Sequence, residues 1–403
     1  MTLSLFTPTH NSKYLAELYD SIKDQPFDEW VILYNNGAEP VELTDPRIKH
    51  IEVDISMPWV GFLKKLACSY CTSDILLEMD HDDLLAPGAI AAVKAAFAAD
   101  AEVGFVYSNT IHCTGDFKKI QRFDEKYGWQ FRELTFNGHA LDEHISFPPV
   151  PNAISRIWFA PNHLRAFTRQ AYDAVGGYNQ QMRILDDLDL MCRLYCTTKF
   201  YHLDKGLYVY RVHGENTWLV HNQEIQQNVH RIHDQYIESI CLAWSKREKL
   251  QALDLGGRFS AATGYTTVDL KNADVVCDLN QTWPFPDNSV GVVRAHDVFE
   301  HLRDPLHTMK ELYRVLAPDG YALIQVPSTE GRGAFQDPTH VSFWNQNSFL
   351  YYTDRQWAQY IDTPVRFQTI RLYTTERDAY GVCWTRAHLV KLAGQRVPGQ
   401  VCI

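Results

Sequence analysis

Short apolar runs closed by turn residues recur along the chain. Residues 3–7 (LSLFT) read as a strand stopping at Pro8, and Tyr14, Leu15, Leu18 and Ile22 follow at helical spacing. A second strand is expected from Trp30 to Tyr34, closed by the turn signal Asn35-Asn36-Gly37, and a third from Ile75 to Leu77. Between them GFLKKLACSYC reads as a helix with Phe62, Leu63, Leu66 and Ala67 inward. Pro87 is placed to open an alanine-rich helix, and Val103 to Tyr107 is the next strand. Strands alternating with helices predict a mostly parallel sheet, with ligands gathered just beyond the strand ends.

Residues 219–250 are polar and helical in character, expected as a solvent-facing helix leading into a linker. Its histidines 221, 230 and 233 are too unevenly spaced to build one tight metal site. At Leu253 the alternation restarts, with strands at 253–255, 266–268, 290–293 and 321–326. A helix lies between the last two, with Asp304 as N-cap, Pro305 in its first turn and Leu306, Met309, Leu312 and Leu316 on its apolar face. The prediction is therefore two α/β domains, 1–245 and 246–403, which suits a chain of 403 residues.

Composition narrows the function classes. A hydrophobic content of 45% excludes wholesale disorder, and a formal charge of −11 disfavours a general nucleic-acid or anionic-membrane surface. Nine cysteines, odd in number and scattered, point to reduced thiols in a cytoplasmic protein, and Cys68-x-x-Cys71 reads as buried structural thiols on a helix. The N-terminus lacks a signal-peptide pattern, and no apolar segment approaches the roughly 20 residues that span a bilayer.

The candidate chemistry begins at the acidic cluster Asp80-His81-Asp82-Asp83, placed after the run DILLE. A divalent cation held there by carboxylates would neutralise a leaving diphosphate. The D-x-D pattern by itself also fits a helix cap, with Asp82 or Asp83 capping the helix opened at Pro87. Four further stretches accompany it: LFTPTHN, WVILYNNG, AFTRQAYDAVGGYNQQMRILDDLDLMCRL and LYVYRVHGENTW. Together with MDHDDLLAPGAI, in this order and over nearly all of residues 1–218, they resemble family-two glycosyltransferases.

That resemblance implies a GT-A nucleotide-sugar-binding fold and a metal-dependent, inverting transfer of a sugar to an acceptor hydroxyl. It implies that Thr7, Pro8 and Thr9 line the donor pocket, with Asn35 or Asn36 at the base, Asp80 at the ribose and Asp82 on the metal, Mn2+ or Mg2+. Asp187 would be the general base, with the capping of its own helix as the structural alternative. His213 would be a further metal or diphosphate contact, and Arg211 would support the diphosphate or pair with a neighbouring acid. One departure stands out. The acid usual before the glycine of the second strand is replaced by Asn35-Asn36, whose amides can accept from a ring N–H without charge, so a uridine diphosphate sugar is favoured. Lys64 and Lys65 would either approach phosphates or cover a solvated helix face.

The segments LDLGG, VDL, CDL, WPFPDNSV, FEHL and ELYRVLAPDGYALIQVPS resemble a class I S-adenosylmethionine-dependent methyltransferase of Rossmann-like fold over residues 251–330. In that pattern Gly256 and Gly257 would let the cofactor approach, Asp269 would meet the ribose and Asp278 the adenine amine. Only eleven residues separate Gly257 from Asp269, too few for the usual first helix, so the fold is expected in a shortened form with S-adenosylmethionine binding in question. Glu300-His301 would look like an acid–base pair in isolation, yet in this pattern it ends a strand and is structural. Phe343, Trp344 and Phe349 would form a lid or a small aromatic core.

The expected function is a nucleotide-sugar glycosyltransferase acting on a glycan, lipid-linked or small-molecule acceptor, with a methyltransferase-like second domain. The alternative is transfer to a macromolecule, modified DNA or protein, with the second domain as a docking module; the acidic balance weighs against DNA.

Overall fold

The computed structural model describes residues 1–56, 59–156, 160–161, 163–259 and 261–392. It divides into two compact units, Met1–Glu125 with Trp129–Ile237, and Lys126–Gly128 with Glu238–Ile403. The sequence-based break at 245 falls eight residues later than this division, and the expected second domain runs on into residues 393–403, outside the described set.

The first unit contains β1 (Leu3–Thr9), α1 (Leu15–Ile22), β2 (Glu29–Tyr34), β3 (Ile48–Glu52), α2 (Val60–Tyr70), β4 (Ile75–Glu78), β5 (Leu84–Leu85) and α3 (Ala89–Ala99). It continues with β6 (Val103–Cys113), β7 (Phe131–Phe136), β8 (His139–His144), α4 (Pro151–Ile154), β9 (Arg165–Thr168), α5 (Arg169–Ala174), α6 (Asp186–Thr197), β10 (Lys199–Arg211) and α7 (Thr217–Val220), and α8 (Asn222–Arg247) runs through the division at Ile237. Its sheet runs β3-β2-β1-β4-β9-β6-β10-β5, with the β7–β8 hairpin attached through β8 to β6. Strands β1 to β4 pair in parallel, while β9 is antiparallel between β4 and β6.

Strands β2, β4 and β6 are buried along their whole length, as parallel strands covered on both faces must be. Leu5, Trp30, Ile32, Ile75 and Leu77 meet Ile90, Val93 and Phe97 of α3 in one core. Helix α2 turns differently from the expectation. Gly61, Lys64, Ala67 and Cys68 are buried, while Phe62, Leu63 and Leu66 are only half-buried. A buried charge network claims Lys64, and this sets the helix's rotation. A Cβ on Gly61 would stand 2.2 Å from the Asn179 carbonyl oxygen, so this position needs glycine for α2 to approach the 179–182 turn. Helix α8 is not simply solvent-facing either, since Ile225, Val229, Ile232, Ile237, Ile240, Cys241 and Trp244 form a buried stripe along it. Cys68 and Cys71 are free and buried, and burial pushes the Cys71 thiol up to about 12.

The second unit contains β11 (Gln251–Leu255), β12 (Thr266–Asp269), β13 (Val275–Val276), β14 (Val290–His296), α9 (Pro305–Val315), β15 (Leu316–Pro327), α10 (Gly333–Gln336), α11 (Gln346–Thr353), α12 (Arg355–Ala358), β16 (Phe367–Thr374) and β17 (Trp384–Lys391). The order is β13-β12-β11-β14-β15-β17-β16, with β17 antiparallel to both neighbours. This doubly wound arrangement reverses direction between β11 and β14, where such sheets take ligands. Asp304 caps α9 as the sequence predicts, accepting from the Leu306 and His307 amides at 2.9 and 3.1 Å. Leu306 stays exposed and Leu316 already belongs to β15, so the apolar face of α9 rests on Met309, Leu312 and Val315. No helix follows β11 among the described residues of 256–265. Trp344 and Phe349 belong to the core, whereas Phe343 is exposed and stacks on Phe335, so the aromatic segment is chiefly core.

Candidate functional site

Strand β4 delivers its last residue, Glu78, and the cluster behind it to the carboxyl edge of the first sheet, held against β10 at several points. The Asp80 amide donates to the Tyr208 hydroxyl at 3.3 Å, and the Arg211 amide donates to Asp83 Oδ1 at 2.7 Å. Asp82 Oδ2 lies 2.7 Å from His213 Nε2. His163 stacks on Tyr208 at 4.3 Å and puts its Nε2 3.6 Å from Asp80 Oδ2. One ligand atom from each of Asp80, Asp83 and His163 falls within a 4.8 Å set.

Two neighbouring carboxylates resist full ionisation. Burial first, then Glu78 and Asp82, push Asp80 up to about 7 against the pull of Lys64, although a side chain still 36% exposed lets solvent moderate the push. Asp83 is raised too, by burial and by its two acidic neighbours, and its buried Oδ2 has no hydrogen-bond partner. An orphaned buried carboxylate oxygen, crowded acids and an imidazole form a donor set that suits Mn2+ or Mg2+, so these residues fit the implied cation.

Behind this cluster runs a chain of buried ion pairs that the sequence reading missed. Lys64 Nζ sits 2.7 Å from Glu78 Oε1 and 2.9 Å from Asp186 Oδ2. Arg165 places Nη1 2.9 Å from Glu78 Oε1 and Nη2 2.8 Å from Asp187 Oδ2. Tyr178, from the Gly-Gly-Tyr turn, donates its hydroxyl to Glu78 Oε2 at 2.8 Å. Burial alone would raise Glu78, but Arg165 and Lys64 outweigh it and hold the carboxyl well below its usual range. The amphipathic spacing of α2 could have flagged Lys64, which interrupts an apolar face. Nothing in the local pattern marks Glu78 or Arg165, which read as ordinary strand residues.

Asp187 lies in the first turn of α6, where its Oδ1 also accepts from the Leu188 amide at 2.7 Å. The N-cap itself is Leu185, with no side-chain cap, so Asp187 does not cap the helix. Its side chain is 18% exposed against 6% for Asp186, leaving Asp187 the more accessible carboxylate of the pair.

The expected donor-pocket residues are less uniform. The buried Thr7 hydroxyl accepts from Trp30 Nε1 at 3.0 Å and is thereby occupied. Pro8 is half-buried, and β1 runs through it to Thr9, past the predicted stop. Thr9 turns its hydroxyl to the Asn11 carbonyl at 2.8 Å. Asn35 is buried, donating its side-chain amide N–H to Asn36 Oδ1 and accepting at its own Oδ1 from the Ile55 amide, while Asn36 stands exposed at φ +56°. Arg211 is buried, its Nη2 3.0 Å from Glu17 Oε1 and its guanidinium 4.4 Å from the Tyr14 ring, the neighbouring-acid pairing of the two arrangements expected. Lys64 is buried in the ion pairs above, and the half-buried Lys65 donates to the Gly176 carbonyl at 3.0 Å.

In the second unit Gly256 follows β11 at φ +74°, and a Cβ there would be 3.0 Å from Val298. Asp269 ends β12 and accepts from the Leu270 amide at 2.7 Å. Asp278 is exposed and holds Asn280 at 2.9 Å. The sheet therefore sets Gly256 and Asp269 at its carboxyl edge as the shortened cofactor site requires, without a helical wall behind them.

Residues 4–159 match the family model for glycosyl transferase family 2, and residues 245–324 match that for a methyltransferase domain. A chondroitin synthase from Escherichia coli is 22% identical over 57% of this chain and 31% of its own length. A hyaluronan synthase from Pasteurella multocida is 23% identical over 53% of this chain and 21% of its own. The chain thus spans a third or less of the length of these curated relatives. The solved structure of S. aureus TarS residues 1–349 with UDP-GlcNAc superposes with a TM-score of 0.42 at 14% identity, over 65% of this chain and 77% of that one.

Proposed function

We propose that this chain, which belongs to glycosyltransferase family two in its first unit and carries a methyltransferase domain in its second, moves a sugar from a uridine diphosphate donor to a glycan hydroxyl with inversion. The observation that carries the reading is the Glu78–Arg165–Asp187 chain, which fixes one accessible carboxylate beside the Asp80–Asp82–His213 cluster. Bound there, a divalent cation supplies charge neutralisation for the leaving diphosphate.

The protein's own residues supply the rest. Asp187 takes the acceptor proton, and Arg165 holds its carboxylate in one orientation so that no reorganisation is needed at the moment of attack. One base and one in-line displacement invert the anomeric centre without a covalent intermediate. Asp82 and His213 would hold the cation that neutralises the diphosphate, with Asp80 at the ribose and the exposed Asn36 at the base. Chondroitin and hyaluronan synthases among the relatives support a glycan acceptor, and the uncharged Asn35–Asn36 pair supports uracil.

For the second unit the missing helix after β11 supports weak or absent S-adenosylmethionine binding and a role in acceptor docking. Among the described residues no helix is long and apolar enough to cross a membrane, and the free buried thiols support a cytoplasmic setting. The deciding experiment offers the full chain a set of UDP- and GDP-sugars with Mn2+ and oligosaccharide acceptors, reading nucleotide release and product anomer. Inverted product from a UDP-sugar is expected; retention, or turnover only with GDP-sugars, would overturn the reading.

A further inference from the structure

The second unit carries a cluster that neither glycosyl transfer nor methyl transfer uses. Glu300 and His301 sit in a single turn of 3-10 helix, Phe299–His301, just beyond the carboxyl end of β14. His340 comes from the loop between α10 and α11. One ligand atom from each of the three lies within a 4.8 Å set.

Three observations point to a ligand rather than to packing. Glu300 is 2% exposed, yet neither of its carboxylate oxygens meets a hydrogen-bond donor from another residue. A buried carboxylate left so bare is costly unless something positive sits on it. The two imidazoles are also held in one tautomer. His301 Nδ1 donates to the Thr339 carbonyl at 3.2 Å, and His340 Nδ1 donates to the Ala334 carbonyl at 3.0 Å. Each therefore keeps its Nε2 as a bare acceptor, which is the outer-sphere arrangement found around metal-ligating histidines. Finally, His340 Nε2 already faces Glu300 Oε1 at 3.9 Å, close to the spacing of two ligands on one small cation, and Asp337 Oδ2 stands 4.0 Å from the same nitrogen.

We propose that Glu300, His301 and His340 bind a divalent first-row transition ion. Two imidazoles and one carboxylate are borderline donors, which favour Zn2+, Mn2+ or Co2+ over Mg2+ and Ca2+. Three protein ligands leave at least one coordination position open, and the exposure of His301 leaves that side accessible to water or to an oxygen-bearing ligand. The turn lies at the same sheet edge where Val298 packs against Gly256, beside the crevice between β11 and β14. The pairing of Glu300 with His301 as a merely structural strand end does not explain an acid buried without a partner.

The test uses Co2+ as a spectroscopic probe on the full chain carrying Asp82→Asn, which removes the cation ligand of the first unit. One equivalent with visible ligand-field absorption, displaced by Zn2+ but not by Mg2+, is expected. Adding His301→Gln, an exposed position that leaves the core intact, weakens that equivalent by roughly 100-fold, and so does Glu300→Gln. Melting curves confirm that each variant is folded. An unchanged Co2+ isotherm in the folded His301→Gln chain would overturn the proposal. So would the absence of any ligand-field band, or a Glu300→Gln chain that is more stable and equally competent in Co2+ binding; each would leave Glu300 as a buried neutral acid.

Discussion

Arg165 holds Asp187 at 2.8 Å by one guanidinium nitrogen, and with the other nitrogen it is tied into the sheet through Glu78. A carboxylate gripped in this way keeps one orientation whether or not an acceptor is present, as the proposed role of general base requires. Asp187→Asn preserves the shape and removes the proton acceptor. Turnover should fall by about 10² to 10⁴-fold with donor affinity nearly unchanged. Single-turnover rates beside donor calorimetry check this, and near wild-type transfer would move the base to Asp186 or Asp189.

Lys64 pairs with Asp186 and, together with Arg165, with Glu78. Lys64→Met should lower the unfolding free energy by about 3–5 kcal/mol, because it leaves buried charge uncompensated. Denaturant titration measures the loss. A double change, Lys64→Met with Glu78→Gln, should cost less than the two single changes added together.

Removal of the cation should weaken donor binding more than it affects the fold. Calorimetry with a uridine diphosphate sugar should show affinity reduced by more than about tenfold in chelator, and Asp82→Asn should reproduce that loss in the presence of Mn2+. Equal affinity with and without the ion would remove the metal from the donor site.

Two stacked histidines give the first unit an acid sensitivity of its own. His112 and His144 lie with ring centroids 4.0 Å apart, and both ring nitrogens of His144 lack partners. Burial pushes His144 down to about 4, opposed by Asp142 and aided by Arg122, and burial together with His144 holds His112 well below the ordinary imidazole range. The unfolded chain binds protons near pH 6.5 while the folded chain does not, so stability is full above that pH and is lost as pH falls from about 6.5 to 4. His144 alone accounts for at most about 3 kcal/mol. Melting temperature followed against pH should slope downward on acidification in this window, and His144→Phe should flatten the slope.

The second unit should give little or no heat with S-adenosylmethionine when the full chain is titrated. Micromolar binding that disappears in Asp269→Ala would show that the sheet edge alone suffices and that the chain is bifunctional.

Much of this was legible from the chain because the signals are local. Continuous apolar runs marked β1, β2 and β4; Asp304 and Pro305 announced α9; and the short interval between Gly257 and Asp269 forecast the missing helix. Strand β3 escaped because none of its residues is buried, and the β7–β8 hairpin because charged residues interrupt its apolar positions. The ion-pair chain was hidden for another reason. Lys64, Glu78, Arg165 and Asp186 lie far apart in sequence, and a charge reveals its burial only once its partners are known. The same limit applied to Thr7 and Arg211, expected at a donor pocket, whose side chains are taken by Trp30 and Glu17.

The chain from Asp186 through Lys64, Glu78 and Arg165 to Asp187 alternates in sign, three acids against two bases. No member can be exchanged singly without stranding a neighbour, so these positions form one heritable unit. Substitution here has to proceed by compensated pairs, and drift in donor or acceptor preference is left to the exposed positions around it. The buried chain is consequently the part of the proposed transfer site least open to single changes, and the exposed positions around it the most open.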